Sequence, residues 1–175
     1  MLIIAAMVAM DGHNPFYSQL RVGKNGRRFR LWKIRTMTVD ADDGLEAYLQ
    51  ANPEARTEWD RHQKLKNDPR ITRIGKVLRK ASLDELPQLF NVLTGSMSLV
   101  GPRPMMLEQE KFYHGTAYYH LRPGVTGFWQ ISERNEASFV SRVEFDEDYN
   151  NRLSLMTDLS TLIRTVSVVI RGTGY

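Results

Sequence analysis

The feature that most constrains the fold of this chain is an Asn-Gly turn at 25–26 between two alternating segments. The segments are Phe16–Val22 and Phe29–Ile34, in which polar and apolar side chains alternate. Asn-Gly is favoured in tight turns because both residues tolerate positive φ angles, so the pattern predicts a β-hairpin. Alternation also places Lys33 and Arg35 on the same side of the second strand, which makes that side cationic.

Most of the remaining chain has helical patterns, so the predicted fold class is α+β and mostly α-helical. The 175 residues, 42% of them hydrophobic, suffice for one domain with a sizeable core. The apolar stripe of the last predicted helix is more typical of a core contact than of a membrane contact. Helices are predicted at Leu45–Gln50, from Asn52-Pro53 to about Lys66, at 70–81, at 138–150 and at 155–171.

The predicted helix at 70–81 is basic and amphipathic. Its apolar positions share one arc, and its basic positions share another on the opposite side. Such a helix suits a membrane surface or an anionic ligand, and a surface helix with solvated lysines is the alternative. The apolar arc contains Ile71, Ile74, Val77, Leu78 and Ala81, and the basic arc contains Arg73, Lys76, Arg79 and Lys80.

The charge and the missing motifs narrow the function. A net charge of +4 indicates anionic partners, which include nucleic acid, anionic lipid and nucleotides. The absence of cysteine excludes disulfides, thiolate metal sites and a cysteine nucleophile. The chain has no Walker lysine motif, no dinucleotide-binding glycine motif and no histidine spacing typical of a metal site. It also contains no recognised nucleic-acid-binding motif, so nucleic acid is not a predicted partner.

The N-terminal residues 2–10 are continuously apolar. They are too few to cross a bilayer, which takes about 20 residues. They also lack the basic start and the cleavage site of a signal peptide. Three interpretations remain: a buried strand or helix, which the pattern favours, a segment that dips into a membrane, or the tail of a longer helix.

Two adjacent carboxylates, Asp84 and Glu85, follow the basic helix. Ser82 as N-cap, with Glu85 as the third helical residue, would form a capping box, which is the structural interpretation of Glu85. The same placement puts Asp84 at a helix N-terminus, which favours an ionised carboxylate and also phosphate. Pro87 would then kink the helix close to the carboxylates. Spacing alone makes the Asp-Glu pair a weak signal of catalysis.

Arg103 lies between two prolines, in Gly101-Pro-Arg-Pro104. Both prolines restrict the backbone around this arginine. A guanidinium held at a fixed angle can bind phosphate through two hydrogen bonds. The alternative is a rigid turn with Arg103 in solvent.

Several motifs, in order along the chain, resemble the bacterial sugar transferases, the monotopic polyprenyl-phosphate phosphoglycosyl transferases of polysaccharide synthesis. The resemblance covers about residues 8–175, and the variant at Trp129-Gln130 resembles the exopolysaccharide branch. The motifs are Arg21-Val-Gly-Lys-Asn-Gly, Trp32-Lys-Ile-Arg-Thr-Met37, Asp68-Pro-Arg-Ile-Thr-Arg-Ile-Gly75, Ser82-Leu-Asp-Glu-Leu-Pro-Gln-Leu89, Ser98-Leu-Val-Gly-Pro-Arg-Pro104, Arg122-Pro-Gly-Val-Thr-Gly-Phe-Trp-Gln130 and Arg134-Asn135.

This resemblance implies an undecaprenyl-phosphate hexose-1-phosphate transferase that uses Mg²⁺ and a UDP-hexose, with glucose or galactose favoured. It implies that Asp84 attacks the sugar-side phosphate and releases UMP, and that the lipid phosphate then attacks the aspartyl phosphosugar. Glu85 matches the metal-binding acid of the family, and Arg103 matches its phosphate-facing arginine. Lys33, Arg35 and Arg79 are weaker candidates for the same phosphate-binding cluster.

The resemblance also implies a location. The protein would be a monotopic protein of the inner membrane, with its catalytic domain on the cytoplasmic face. Residues 1–15 would be the remnant of a longer re-entrant membrane helix, and residues 16–175 a single catalytic domain with amphipathic helices at the membrane surface. The short N-terminus makes weaker attachment the expectation. Two other functions stay open: an inactive relative that binds a nucleotide sugar or a protein, and a basic protein that binds membrane or nucleic-acid surfaces. The oligomeric state, with a homo-oligomer as one option, also stays open.

Overall fold

The predicted hairpin is confirmed in the computed structural model, which describes residues 1–41, 43–62, 65–132 and 139–171. Strand β1, Phe16–Val22, pairs antiparallel with β2, Arg28–Ile34, and Phe16 lies opposite Ile34. Asn25 and Gly26 have φ angles of 56° and 72°. The turn therefore uses the left-handed region that Asn and Gly tolerate best.

The described chain is mixed and mostly helical, as predicted. The helix predicted to reach about Lys66 ends at His62 within the described residues, and Leu65 and Lys66 are not helical. The helices are α1 Leu2–Val8, α2 Asp43–Ala51, α3 Pro53–His62, α4 Arg73–Lys80, α5 Gln88–Leu93, α6 Ala117–His120, α7 Phe128–Ile131, α8 Arg142–Asn151 and α9 Leu155–Arg171; the remaining strands are β3 Ser98–Val100 and β4 Gly124–Thr126.

Strands β3 and β4 form a short parallel pair beside the loop that carries Arg103. Gly101 follows β3 and packs directly on the start of β4, where a Cβ atom would overlap the Arg122 carbonyl oxygen. Gly101 N–H also donates to the Thr126 carbonyl at 2.9 Å. This close backbone contact, which only glycine permits, therefore fixes the start of the loop Pro102-Arg103-Pro104, called here the Pro-Arg-Pro loop.

The hairpin is joined to this loop through the main buried cluster. Tyr118, only 1% exposed, donates its hydroxyl to the Val22 carbonyl at 2.6 Å and accepts from the Met105 N–H at 3.0 Å. Since Val22 and Met105 also form an isolated bridge, the end of β1 and the end of the loop are held together. The cluster comprises Val22, Met105, Tyr113, Tyr118 and Phe139.

The N-terminal residues form a short helix that lies partly in the core, which was the interpretation that the pattern favoured. Ala5 and Val8 pack with Ile34 and Leu78. The other side of α1 is exposed, including Leu2 at 78% of its surface. None of the described helices is both long and apolar enough to cross a bilayer.

Helix α4 begins later than predicted, and its buried face differs from the predicted apolar arc. Thr72 caps the helix by accepting from the Gly75 N–H at 2.9 Å. Leu78 is buried, but Val77 is 66% exposed, and Gly75 packs so closely on Thr36 that a Cβ atom would overlap its carbonyl oxygen. Arg79, one of the residues of the predicted basic arc, donates from its side chain to the Thr36 hydroxyl.

The prediction that the apolar stripe of α9 lies in the core is wrong. Ile163 and Val166 are 62% and 59% exposed, whereas Thr161 is 2% exposed. The side chain of Thr165 is hydrogen-bonded to that of Thr126 on β4 at 2.7 Å. A threonine face, with Leu162 beside it, therefore packs on β4, and most of the apolar stripe faces outward.

Candidate active site

Asp84 and Glu85 lie in a short 3₁₀ turn, Leu83–Glu85, rather than in the first turn of an α-helix. The predicted capping box is absent, because Ser82 has a φ of 54° and makes no side-chain cap. Its N–H instead donates to the Arg79 carbonyl at 3.0 Å. Pro87 does not kink a helix but immediately precedes α5. The dipole of a long helix therefore does not account for the environment of Asp84.

The 3₁₀ turn is held against the hairpin by Asn91 of α5. Its amide donates to the Arg30 carbonyl at 2.7 Å, and its side-chain oxygen accepts from the Trp32 N–H at 3.1 Å. Asn91 thus occupies the hydrogen-bonding edge of β2 that a further strand would take. It fixes the position of β2, which carries Lys33, relative to the acidic pair. Nothing in the sequence pattern identifies this residue.

Lys33 is the cation closest to the acidic pair among the described ion pairs. Its Nζ lies 2.9 Å from Glu85 Oε1 and 3.7 Å from Asp84 Oδ2. Arg103 Nη1 lies 3.8 Å from the same Glu85 oxygen. Asp84 is 6% exposed, whereas the side chain of Arg103 is 34% exposed. The structure therefore places a buried carboxylate beneath cations that solvent reaches.

Arg79 approaches the pair from α4. Its Nε donates to the Thr36 hydroxyl at 2.9 Å. Burial lowers the pKa of Arg79, while the nearby Asp84 carboxylate raises it, so the two side chains interact electrostatically. Lys33, Arg79 and Arg103 therefore surround Asp84 and Glu85, and five of the six residues proposed from the sequence lie together.

Arg35 is the exception. Its guanidinium contacts the N-terminal segment, with 2.7 Å from Nη2 to Asp11 Oδ1 and 2.8 Å from Nε to the Asn14 carbonyl. The hydrogen bond from Arg35 lowers the pKa of Asp11 to about 2. In this structure Arg35 thus anchors the chain that follows α1. Arg134 and Asn135, which also carried the family resemblance, lie outside the described residues.

Two further arginines lie near Arg103 and were not among the predicted site residues: Arg21 at the end of β1 and Arg142 in α8. The guanidinium carbons of Arg142 and Arg103 lie 4.5 and 5.5 Å from the ring centroid of Trp129. Burial lowers the pKa of Arg21, and repulsion from the nearby Arg103 lowers it further. Trp129 and Arg142 are not neighbours in the sequence and come together only in the fold, so no local sequence pattern could have identified their contact.

A carboxylate pair surrounded by lysine and arginine donors defines a site for a substrate with several negative charges, such as a diphosphate. The pair also suits Mg²⁺, which commonly binds one or two carboxylates together with substrate phosphates. In the described part of the chain, no group of three or more acidic or histidine side chains could form an all-protein metal site.

Comparisons with known proteins identify the family of this chain. The family model for bacterial sugar transferases matches residues 1–172, and the chain belongs to that family. It is 48% identical, over 99% of its length, to the UDP-galactose-lipid carrier transferase of Erwinia amylovora, and spans 37% of that protein. It is 46% identical, over 99% of its length, to the exopolysaccharide production protein ExoY of Rhizobium meliloti, and spans 78% of it. It is also 44% identical, over 99% of its length, to the undecaprenyl-phosphate galactose phosphotransferase of Salmonella typhimurium, and spans 37% of that protein.

Proposed function

We propose that this chain transfers a hexose-1-phosphate from a UDP-sugar to undecaprenyl phosphate and so initiates exopolysaccharide synthesis. The observation that carries the proposal is the buried Asp84 carboxylate, held beside Glu85 among Lys33, Arg79 and Arg103. The names of the relatives, which refer to a lipid carrier, undecaprenyl phosphate and exopolysaccharide, support the same substrates.

In the proposed reaction, Asp84 is the nucleophile. A carboxylate oxygen forms a bond to the sugar-side phosphorus, and the bond from that phosphorus to the bridging oxygen breaks. UMP leaves with the electron pair of that bond. An oxygen of the lipid phosphate then attacks the same phosphorus, and the Asp84 carboxylate is released unchanged. Dividing one transfer into two displacements is covalent catalysis.

The cations have distinct roles in this reaction. Lys33 and Arg103 reach the acidic pair from β2 and from the Pro-Arg-Pro loop, so they approach the sugar-side phosphate from different directions. Fixed donors of this kind stabilise the charge that develops on phosphate oxygens. Glu85 would hold Mg²⁺, which neutralises negative charge on the diphosphate when it is bound. Arg79 would add positive charge beside the Asp84 carboxylate.

We further propose that the protein works at the cytoplasmic face of the inner membrane. Apolar side chains of α5 support contact with a membrane, because Phe90 and Leu93 are 54% and 82% exposed. The outward stripe of α9 and the exposed side of α1 add to this apolar surface. Exposed apolar patches of this kind are typical of membrane or protein contacts.

The test is incubation of the protein in lipid vesicles with UDP-glucose or UDP-galactose and Mg²⁺. We expect UMP release and a phosphosugar adduct by intact-protein mass spectrometry, both abolished by Asp84→Asn. The matched control is Asp148→Asn, which makes the same change at an exposed carboxylate of α8 that pairs with Arg152. If the folded wild type forms no adduct and releases no UMP with any UDP-hexose, the proposal is wrong.

A further inference from the structure

Near Arg103 lie two arginines that the proposed reaction does not yet use. Arg142 is packed between two aromatic rings, with its guanidinium carbon 4.5 Å from the centroid of Trp129 and 4.6 Å from that of Phe139. Arg103 contacts the same Trp129 ring at 5.5 Å. Arg21 donates from Nη2 to Gln19 at 2.6 Å and interacts electrostatically with both other arginines. We call Arg21, Arg103 and Arg142 the arginine cluster.

The charge of this cluster is poorly compensated by the protein itself. Among the described residues, no carboxylate lies within ion-pair distance of Arg21 or Arg142, and the buried Nε atom of each has no hydrogen-bond partner. Burial, together with repulsion from Arg103, lowers the pKa of Arg142 to about 9 and that of Arg21 to about 10. Buried cations without a partner are costly, so an anionic ligand would relieve this arrangement.

Two acids act on these arginines. Glu108 raises the pKa of Arg21, and Asp146, in the same helix as Arg142, raises the pKa of Arg142, in both cases by less than burial lowers it. The Asp146 carboxylate accepts a hydrogen bond from the Tyr113 hydroxyl at 3.0 Å. Burial raises the pKa of Asp146 to about 7, so its carboxyl is only partly ionised at neutral pH. Asp146 therefore does not cancel the positive charge of three neighbouring arginines.

We propose that Arg21 and Arg142 bind the nucleoside-side phosphate of the donor and receive the nucleoside monophosphate as it leaves. This inference rests on the proposed function, in which Lys33 and Arg103 contact the sugar-side phosphate. The second phosphate is joined to the first through a single oxygen, so it must lie beside it. Arg103 contacts both Glu85 and Trp129, and it therefore connects the acidic pair to the arginine cluster.

The chemistry of the step agrees with this placement. When the bond between the bridging oxygen and the sugar-side phosphorus breaks, the electron pair stays on the leaving phosphate, which gains negative charge. The planar fork of arginine matches phosphate oxygens in geometry and remains charged at neutral pH. Arg21 and Arg142 would thus contact the atoms on which the charge increases.

The test compares two probes of the two phosphate positions by isothermal titration calorimetry on the intact protein. UMP reports on the nucleoside side, and glucose-1-phosphate on the sugar side. We expect Arg21→Gln and Arg142→Gln each to raise the Kd of UMP about 10- to 100-fold, the loss typical of a hydrogen bond to a charged group. The Kd of glucose-1-phosphate should change less than about twofold. Arg152→Gln, which removes the same charge from an exposed position, should change neither Kd.

A second pair of variants tests the inference if the glutamine variants do not fold. If a glutamine variant does not melt cooperatively, Arg21→Lys and Arg142→Lys keep the charge but lose the fork, and they should still weaken UMP binding several-fold. Unchanged UMP affinity in folded variants, an equal loss for both probes, or no UMP binding by the wild type would each overturn the inference. If the wild type forms an adduct but the arginine variants bind UMP normally, the inference is wrong and the proposed function stands. If UMP binding depends on these arginines but no adduct forms, the arginine cluster binds UMP as inferred and the proposed function is wrong.

Discussion

Replacing Asn91 tests how the hairpin is held against the acidic pair. Asn91 is 5% exposed and makes two hydrogen bonds to the backbone of β2. Asn91→Ala leaves the Arg30 carbonyl and the Trp32 N–H without these partners. Each buried polar group without a partner costs about 1–3 kcal/mol, so we expect the loss of both bonds to lower the free energy of unfolding by about 2–6 kcal/mol.

Urea denaturation, followed by tryptophan fluorescence, measures this loss. Asn91→Leu separates the hydrogen bonds from packing, because leucine fills a similar volume but cannot bond to the β2 backbone. The leucine variant should therefore lose a similar amount to the alanine variant. Asn151→Ala, which makes the same change at an exposed position at the end of α8, should change the free energy of unfolding by less than about 0.5 kcal/mol. A leucine variant as stable as the wild type would refute the reasoning.

Two further predictions concern the supports of the site. Burial raises the pKa of Asp146 from 3.8 to about 7, so the folded protein binds this proton more tightly than the unfolded chain. The free energy of unfolding should therefore fall as the pH rises from about 4 to 7. This contribution is worth up to about 4 kcal/mol, and Asp146→Asn should remove it. Urea denaturation at several pH values measures the change. A variant with the same pH dependence of stability as the wild type would contradict the prediction. Gly75→Ala should lower the melting temperature by the equivalent of about 1–3 kcal/mol, because its Cβ overlaps the Thr36 carbonyl oxygen. Gly44→Ala, where a Cβ meets nothing, is the matched control, and equal melting temperatures for the two variants would show that α4 does not dock as described.

The parts of the fold that the sequence predicts well are those decided by local chemistry. The hairpin follows from the positive φ angles that Asn25 and Gly26 tolerate, and the extent of α9 matches the predicted 155–171. The buried face of α9 could not be predicted in the same way. Threonines, rather than the larger apolar side chains, meet β4, and that choice depends on which element lies opposite.

The same division applies to the candidate site. Residue type and motif were enough to select Lys33, Arg79 and Arg103, which the fold brings to the acidic pair. Arg35 has the same residue type and lies on the same strand side, but it contacts Asp11, a carboxylate 24 residues away in the sequence. Glu85 likewise fits the local pattern of a capping box, yet its side chain contacts Lys33 across the fold. Partners that are distant in sequence therefore decided both outcomes.

The long sequence separations within the site also have a consequence for how the protein folds. Lys33 and Glu85 are 52 residues apart, Arg30 and Asn91 are 61 apart, and the bond from Tyr118 to Val22 closes a separation of 96. Contacts between distant segments slow folding, because loop-closure entropy is lost before the contacts form. The hairpin turn can form early, but the complete ring of cations around Asp84 requires all of these closures. During refolding, the ability to bind a phosphorylated ligand should therefore return with the slowest phase, later than helical circular dichroism.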